Sequence, residues 1–338
     1  MPYHYAIIGF GPAGIFALAS LPEHLLQNTL ILEDNTVGGD LATVYSGIKA
    51  NITKKDIVTA FRKIPRWSEN NAKLTFLLPY EDNECPFLSD VSKQIREWII
   101  PDVKKAQFHK TRMNMLIETN DHWKIQTDHE LFEAKKVIVC TGSKPKTLNL
   151  PKISVPLQVA LSVNQLRSFV SPSDKIIVFG CAHSGTLILK NLKELGCSSV
   201  TAIYKGKAPF QYARDRVNGG IKQESAKIAD EIVANAWNEY TPTLLSLEDF
   251  PAVYRVISNA DIVIYSIGFE SNTVTYTTKS GLLQQLEHNP TDSRFLNVVN
   301  VWGFGSAFPR RNPHPDIGFH GFIDAIQTAL PSILESSV

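Results

Sequence analysis

The first 33 residues constrain this chain more than any other segment. An apolar run, Tyr5-Ala6-Ile7-Ile8, leads directly into Gly9-Phe10-Gly11-Pro12-Ala13-Gly14, and a helical pattern follows from about Ile15 to Leu21. A second apolar run, Thr29-Leu30-Ile31-Leu32, ends in Glu33, 19 residues beyond Gly14. G-x-G-x-x-G between a strand and a helix, with an acidic residue about 20 positions on, predicts a βαβ unit that holds a dinucleotide. Gly9 permits the tight turn, Gly11 lets the backbone approach a pyrophosphate, and Gly14 lets the helix pack against the strand. The helix N-terminus offers N–H groups and a partial positive charge to phosphates. Glu33 is placed to accept hydrogen bonds from ribose hydroxyls.

Several function classes are disfavoured. No charged leader with an apolar h-region precedes the motif, so no secretory signal is expected and the expected location is cytoplasmic. No run approaches 18 apolar residues, so no membrane span is expected. A net charge of +1, with charged residues at 20% of the chain, gives no electrostatic case for nucleic acid or an anionic surface. A length of 338 residues suggests two domains. Cys85, Cys140, Cys181 and Cys197 are never closer than 16 residues, without a C-x-x-C, and read as reduced, mostly buried thiols.

A second motif lies mid-chain. Ile176-Ile177-Val178-Phe179 reads as a buried strand, Gly180-Cys181-Ala182-His183-Ser184-Gly185 follows, and a helix is expected from about Thr186 to Leu195. Gly196 is placed to cap it, and Ser199–Tyr204 is the next strand. Ala182 replaces the middle glycine, adding a methyl where backbone should meet phosphate. Lys205 and Lys207 stand where Glu33 stands in the first unit. A carboxylate suits a ribose 2′-hydroxyl, whereas lysines suit a 2′-phosphate, so the cofactor reading is NADPH. The competing reading is two ordinary solvated lysines.

Together the two motifs resemble the two-dinucleotide-binding-domain flavoproteins, the superfamily of thioredoxin reductase, compact ferredoxin–NADP reductases and flavin-containing monooxygenases. Further matches are the strands Met113–Thr119, Trp123–Thr127 and Leu131–Val139, then Cys140-Thr141-Gly142-Ser143-Lys144-Pro145 in the place of the family's threonine-glycine motif. Asp261–Phe269, followed by Ser271-Asn272-Thr273, resembles the crossover between domains, and Val301–Ser306 the late strand. The resemblance implies an α/β fold of two doubly wound Rossmann-like FAD/NAD(P)-binding domains. The FAD domain is expected at 1–155 plus 270–338, and an NAD(P)-binding-like domain with an atypical second half at 156–269. In that second half helices are expected at about Lys222–Trp237 and Pro251–Ser258, with a strand at Leu244–Leu247.

The same resemblance implies site residues. FAD would be held by Gly9, Gly11, Pro12, Ala13, Gly14 and Glu33, by Gly39, Asp40 and Leu41 after Gly38, and by Asn51, Thr141, Gly142, Gly305, Ser306 and His320. Ser306 replaces the family's ribityl-holding aspartate, and His320 its glutamine at the start of the last helix, which is expected from about Gly318 to just before Pro331. NADPH would be held by Gly180, Ala182, His183, Ser184, Gly185, Lys205 and Lys207. Tyr45 and His320 are the side chains expected nearest the flavin chemistry, although surface or core roles compete for both. No redox-active dithiol is present. Ser89–Val103 reads as a packing helix. In Pro209–Gly220, Arg214 and Arg216 suggest either an anion clamp or a solvated loop. His314, Asp316 and His320 lack the spacing of a metal site, and none is expected.

The implied function is a soluble FAD-dependent NADPH oxidoreductase, with hydride passing to the flavin and electrons to a small molecule, a small redox protein or oxygen. A monooxygenase, a ferredoxin or flavodoxin reductase, and a flavin-binding scaffold with a decayed nicotinamide site are the alternatives. The sequence leaves the acceptor open, and a homodimer with it.

Overall fold

A computed structural model describes residues 1–68, 80–214, 220–311, 315–316 and 318–335. Strands lie at Tyr3–Ile8 (β1), Thr29–Glu33 (β2), Gln107–Lys110 (β3), Met113–Glu118 (β4), Trp123–Thr127 (β5), Leu131–Val139 (β6), Ser143–Pro145 (β7), Ile153–Val155 (β8), Ile176–Phe179 (β9), Val200–Tyr204 (β10), Thr243–Ser246 (β11), Ile262–Tyr265 (β12), Phe269–Ser271 (β13), Thr275–Thr277 (β14), Leu283–Gln285 (β15), Val301–Gly303 (β16), Arg310–Arg311 (β17) and Pro315–Asp316 (β18). Helices lie at Pro12–Ser20 (α1), Gly39–Thr43 (α2), Lys54–Phe61 (α3), Pro65–Ser68 (α4), Leu88–Val103 (α5), Leu157–Ala160 (α6), Val163–Leu166 (α7), His183–Glu194 (α8), Gly220–Val233 (α9), Phe250–Asn259 (α10) and Phe319–Leu334 (α11).

The strands form two large sheets. One has the order β15-β14-β4-β5-β6-β1-β2-β3, with β16 also on β6. Its β3, β2, β1, β6 and β16 are mutually parallel, while β4, β5 and β6 form an antiparallel meander. The other sheet, β11-β10-β9-β12-β8, is parallel throughout. The central strands are buried on both faces. Tyr5 and Ile7 join one core with α1, α3, α5 and α11, while Ala6 and Ile8 join another with the meander. In the second sheet Ile176 and Val178 face α8 and α9, and Ile177 and Phe179 face α10. Strands covered on both faces read as continuous apolar runs, as Tyr5–Ile8 and Ile176–Phe179 do.

Three expectations are corrected. Ile153–Val155 pairs with β12, so this segment belongs to the second sheet rather than closing the first domain segment at 155. Helix α9 spans Gly220–Val233, so it ends about a turn before the expected Trp237. Helix α11 runs through Pro331 to Leu334 instead of stopping before it. Its last turn is held from outside: the buried ammonium of Lys136 donates to the carbonyls of Ile333 (2.7 Å) and Glu335, and the Tyr5 hydroxyl donates to Ile333 at 3.3 Å. A cation on the final carbonyls suits the negative end of the helix dipole and offsets the bond lost to proline.

The two connections between the sheets run side by side. β7 pairs antiparallel with β13, and the Lys146 N–H donates to the Gly268 carbonyl at 2.9 Å. Thr141 and Asn272 clamp the same ribbon, Thr141 Oγ1 donating to the Asn272 carbonyl at 2.9 Å and Asn272 Nδ2 to the Thr141 carbonyl at 2.8 Å.

Candidate cofactor and nucleotide sites

The first glycine loop joins β1 to α1. Gly9 has φ +86°, its N–H donates to the Leu32 carbonyl at 2.8 Å, and a Cβ there would lie 2.4 Å from the Cys140 carbonyl oxygen. A Cβ on Gly14 would lie 2.2 Å from the Gly9 carbonyl oxygen. Packing within the protein therefore demands both glycines. Gly11 is different. It caps α1 in extended backbone, and a Cβ there would meet nothing nearer than the Gly38 carbonyl oxygen, 4.0 Å away. The missing side chain leaves open space in front of the first helical N–H groups, which have no partner within the helix.

Gly38 and Gly39 close the flank of that space. The Gly38 N–H donates to the Phe10 carbonyl at 2.9 Å, and a Cβ on Gly39 would lie 3.0 Å from the Gly11 Cα. Glu33 is buried at the end of β2 and accepts from the N–H groups of Phe10 and of Asn35, the latter at 2.8 Å. Burial pushes its carboxyl above the usual range, and the two N–H groups pull it back in part. Each carboxylate oxygen keeps a second acceptor position for a ribose hydroxyl. Gly305 brings the loop after β16 against α1, with a Cβ there 3.0 Å from that of Ala13. Ser306 accepts from Ser143 Oγ at 3.0 Å. Gly142 lies beside it, a Cβ there falling 3.9 Å from Ser306 Oγ.

Thus Gly9, Gly11, Pro12, Ala13, Gly14, Glu33, Gly39, Gly142, Gly305 and Ser306 converge at the N-terminus of α1, and Thr141 adjoins them through its clamp on Asn272. Asp40 and Leu41 follow Gly39 in the first turn of α2. The Tyr45 N–H donates to the Asp40 carbonyl at 3.1 Å, and its ring meets the Phe269 ring edge-on at 6.3 Å between centroids. Burial, then the Asp40 carboxylate, push the Tyr45 hydroxyl up to about 12. Asn51 is exposed, and His320 is the half-buried second residue of α11. No hydrogen bond among the described residues ties either to the loop. Sequence reasoning missed Ser143 and Phe269 as neighbours of this site, and gave Asn272 no role. Only the position of Asn272 just after the crossover hinted at its place.

The second loop repeats the construction. Gly180 has φ +96°, its N–H donates to the Ile203 carbonyl at 2.8 Å, and a Cβ there would lie 2.2 Å from the Ser266 carbonyl oxygen. A Cβ on Gly185 would lie 2.1 Å from the Gly180 carbonyl oxygen. Ala182 caps α8 in extended backbone, as Gly11 caps α1, so its methyl group brings no strain. His183 Nδ1 lies 2.8 Å from the hydroxyl of Ser225 on α9. Lys205 and Lys207 are exposed just past β10, as expected of either reading. Arg214 has one local partner, its Nε pairing with Asp230 at 3.2 Å. Arg216 and His314 lie outside the described residues.

Cys140, Cys181 and Cys197 are buried, Cys85 is half-buried, and none of the four is in a disulfide. Burial pushes the thiols of Cys140 and Cys197 up, and that of Cys181 to about 12, so these three are protonated at neutral pH. Among the described residues no group of three or more histidine, cysteine or acidic side chains is disposed to hold a metal ion. No described helix is long and apolar enough to cross a membrane.

This chain is similar to known proteins over nearly its whole length. A ferredoxin–NADP reductase from Lactobacillus gasseri is 24% identical, over 94% of this chain and 91% of its own. A monooxygenase from Paecilomyces divaricatus is 23% identical, over 96% of each. The solved bacillithiol disulfide reductase of Staphylococcus aureus superposes with a TM-score of 0.67 at 16% identity, over 99% of each chain, which is a likeness of fold. The profile of the pyridine nucleotide-disulphide oxidoreductases matches residues 3–316. The match spans nearly the whole chain, which is a member of the pyridine nucleotide-disulphide oxidoreductase family.

Proposed function

We propose that the chain is an FAD-dependent oxidoreductase in which NADPH reduces the flavin and the electrons leave to a small molecule or a small redox protein. The observation that carries this reading is the open space before Gly11. It is bounded by two glycines that packing makes obligatory and flanked by Gly39. A pyrophosphate fits such a cradle, because the N-terminus of α1 supplies N–H groups and positive charge. Glu33 is positioned to accept from ribose hydroxyls, and the Ser143–Ser306 hydroxyl pair offers neutral contacts to a polyol. When bound, the flavin supplies the redox chemistry, accepting hydride from a nicotinamide.

The chain's own residues then bind and orient, since hydride transfer needs no side-chain acid or base. The Gly180 loop and α8 would take the nicotinamide nucleotide, with Lys205 and Lys207 toward a 2′-phosphate. Disulfide exchange needs a thiolate with a partner. The protonated Cys140, Cys181 and Cys197 do not supply one, so the acceptor is not expected to be reduced through a cysteine pair of this chain.

The test is an anaerobic absorbance spectrum of purified protein before and after NADPH. Oxidised flavin bands that bleach on NADPH addition are expected. Protein that is colourless and takes up no FAD rejects the flavin site, whereas bands that persist with both NADPH and NADH leave a flavin-binding scaffold.

A further inference from the structure

We infer that Ser225 is a positioning residue for the second nucleotide loop, fixing the tautomer and direction of His183; this rests on the assignment of that loop to NADPH. Ser225 is fully buried in α9. Its Oγ lies 2.8 Å from His183 Nδ1, 3.0 Å from the Ala213 carbonyl oxygen and 2.9 Å from the Lys222 carbonyl oxygen. A hydroxyl has one proton, and carbonyl oxygens only accept. The Ser225 proton is therefore committed to the two carbonyls, and His183 must present an N–H at Nδ1. The reverse arrangement would press hydroxyl lone pairs against two carbonyl oxygens at those distances. The ring is thus held with Nδ1 protonated, because the bond made at one nitrogen decides the state of the other.

The three partners of this hydroxyl come from three places. His183 opens α8, Lys222 lies in the first turn of α9, and Ala213 lies in the segment that follows β10. That segment carries Lys205 and Lys207 and is pinned by Phe210, which is buried in the core of the second sheet. One buried hydroxyl therefore joins the helix N-terminus meant for the diphosphate to the segment meant for the 2′-phosphate. The Ala182 methyl covers backbone that Gly11 leaves open in the first loop, which shifts more of the contact to the side chain at 183.

The experiment compares FAD-loaded wild type with Ser225→Ala, His183→Ala and the double variant, and follows flavin reduction by NADPH anaerobically. Loss of one positioned hydrogen bond predicts an apparent Kd for NADPH raised about tenfold in Ser225→Ala. The FAD spectrum should be unchanged, and the double variant should be no worse than His183→Ala alone. Nitrogen-15 NMR of the His183 ring supplies a readout that a merely structural serine would not move: Nδ1–H in wild type, passing to Nε2–H in Ser225→Ala. If Ser225→Ala does not fold, Ser225→Cys, with nearly the same volume and a weaker donor, should show the same weakening and the same change of tautomer. A neutral Nε2–H ring in wild type, unchanged NADPH affinity in the serine variant, or additive losses in the double variant each overturn the inference. Failure of wild type to bind NADPH or NADH at all overturns it together with the reading of the site, and is seen without any variant.

Discussion

The two glycine loops are near copies in backbone and opposites in what leans on them. In each, the first glycine sits under the carbonyl of a third strand's end (Cys140 or Ser266), and the last glycine sits under the carbonyl of the first. In each, the residue between caps the helix in extended backbone, where any side chain is allowed. The first and last glycines therefore answer to packing inside the protein, and only the middle position is free of that constraint. The first unit keeps that position bare, covers its flank with Gly38 and Gly39, and ends its second strand in a buried carboxylate. The second unit fills it with a methyl group, lets α9 reach across to His183, and ends its second strand in exposed lysines. A G-x-G-x-x-G match thus mixes two kinds of information: its first and last glycines report on packing, and under the proposed function its middle glycine would report on binding.

That division can be broken experimentally. The largest effects should come from Gly14→Ala and Gly185→Ala, whose methyl groups would fall 2.2 and 2.1 Å from carbonyl oxygens. Each should cost about 1–3 kcal/mol or more of stability, read as a fall in thermal midpoint of roughly 2–4 °C per kcal/mol. A tolerated Gly185→Ala would show that the second loop is not built like the first. Next comes Gly11→Leu, which has room to fold and should give well-folded, colourless protein. Losing two phosphate hydrogen bonds of about 1.5 kcal/mol each weakens FAD roughly a hundredfold. Ala182→Gly should act in the opposite direction and strengthen NADPH a few-fold. A Gly11 variant that unfolds instead would place that glycine with the packing residues.

A smaller effect is expected from replacing Lys205 and Lys207 together by alanine. The Kd for NADPH should rise about tenfold, the loss of one solvent-screened charge-assisted bond, with NADH unaffected; equal loss for both would point to folding. The smallest concerns Tyr45, on the flank of the first loop. Its hydroxyl titrates near 12 in the folded protein against an ordinary 10.0. Between those values the folded state keeps a proton that the unfolded chain loses, so stability falls as pH rises through that interval. Tyr45→Phe should remove that part of the slope in denaturant midpoints measured from pH 9 to 12. An unchanged slope would mean that Tyr45 is open to solvent.

The core strands of both sheets and both loops were legible because burial on two faces writes uninterrupted apolar runs. Strand β3 was not, since Gln107-Phe108-His109-Lys110 is a short edge strand with exposed ends. Helix α3 carried a usable signal that was not read: Thr53 and Asp56 form a reciprocal capping box. The end of α11 was misplaced because a proline usually stops a helix, and the ammonium that sustains it, Lys136, is 197 residues away from Ile333 in sequence. The same distance effect hid the Ser143–Ser306 pair and the Thr141–Asn272 clamp, which join residues more than 130 positions apart. Arg214 looked available because its partner Asp230 lies on a helix whose packing the local sequence does not specify.

The paired connections β7 and β13 make the second sheet a cassette. The chain leaves the first sheet and returns to it through a neck whose two sides are already bonded, Lys146 to Gly268. Joining the two sides with a tight turn would convert the neck into an ordinary hairpin and leave every strand of the first sheet in its place. The neck is also a defined port for engineering: another nucleotide- or partner-binding unit with adjacent termini could be spliced there without rebuilding the cradle at Gly11.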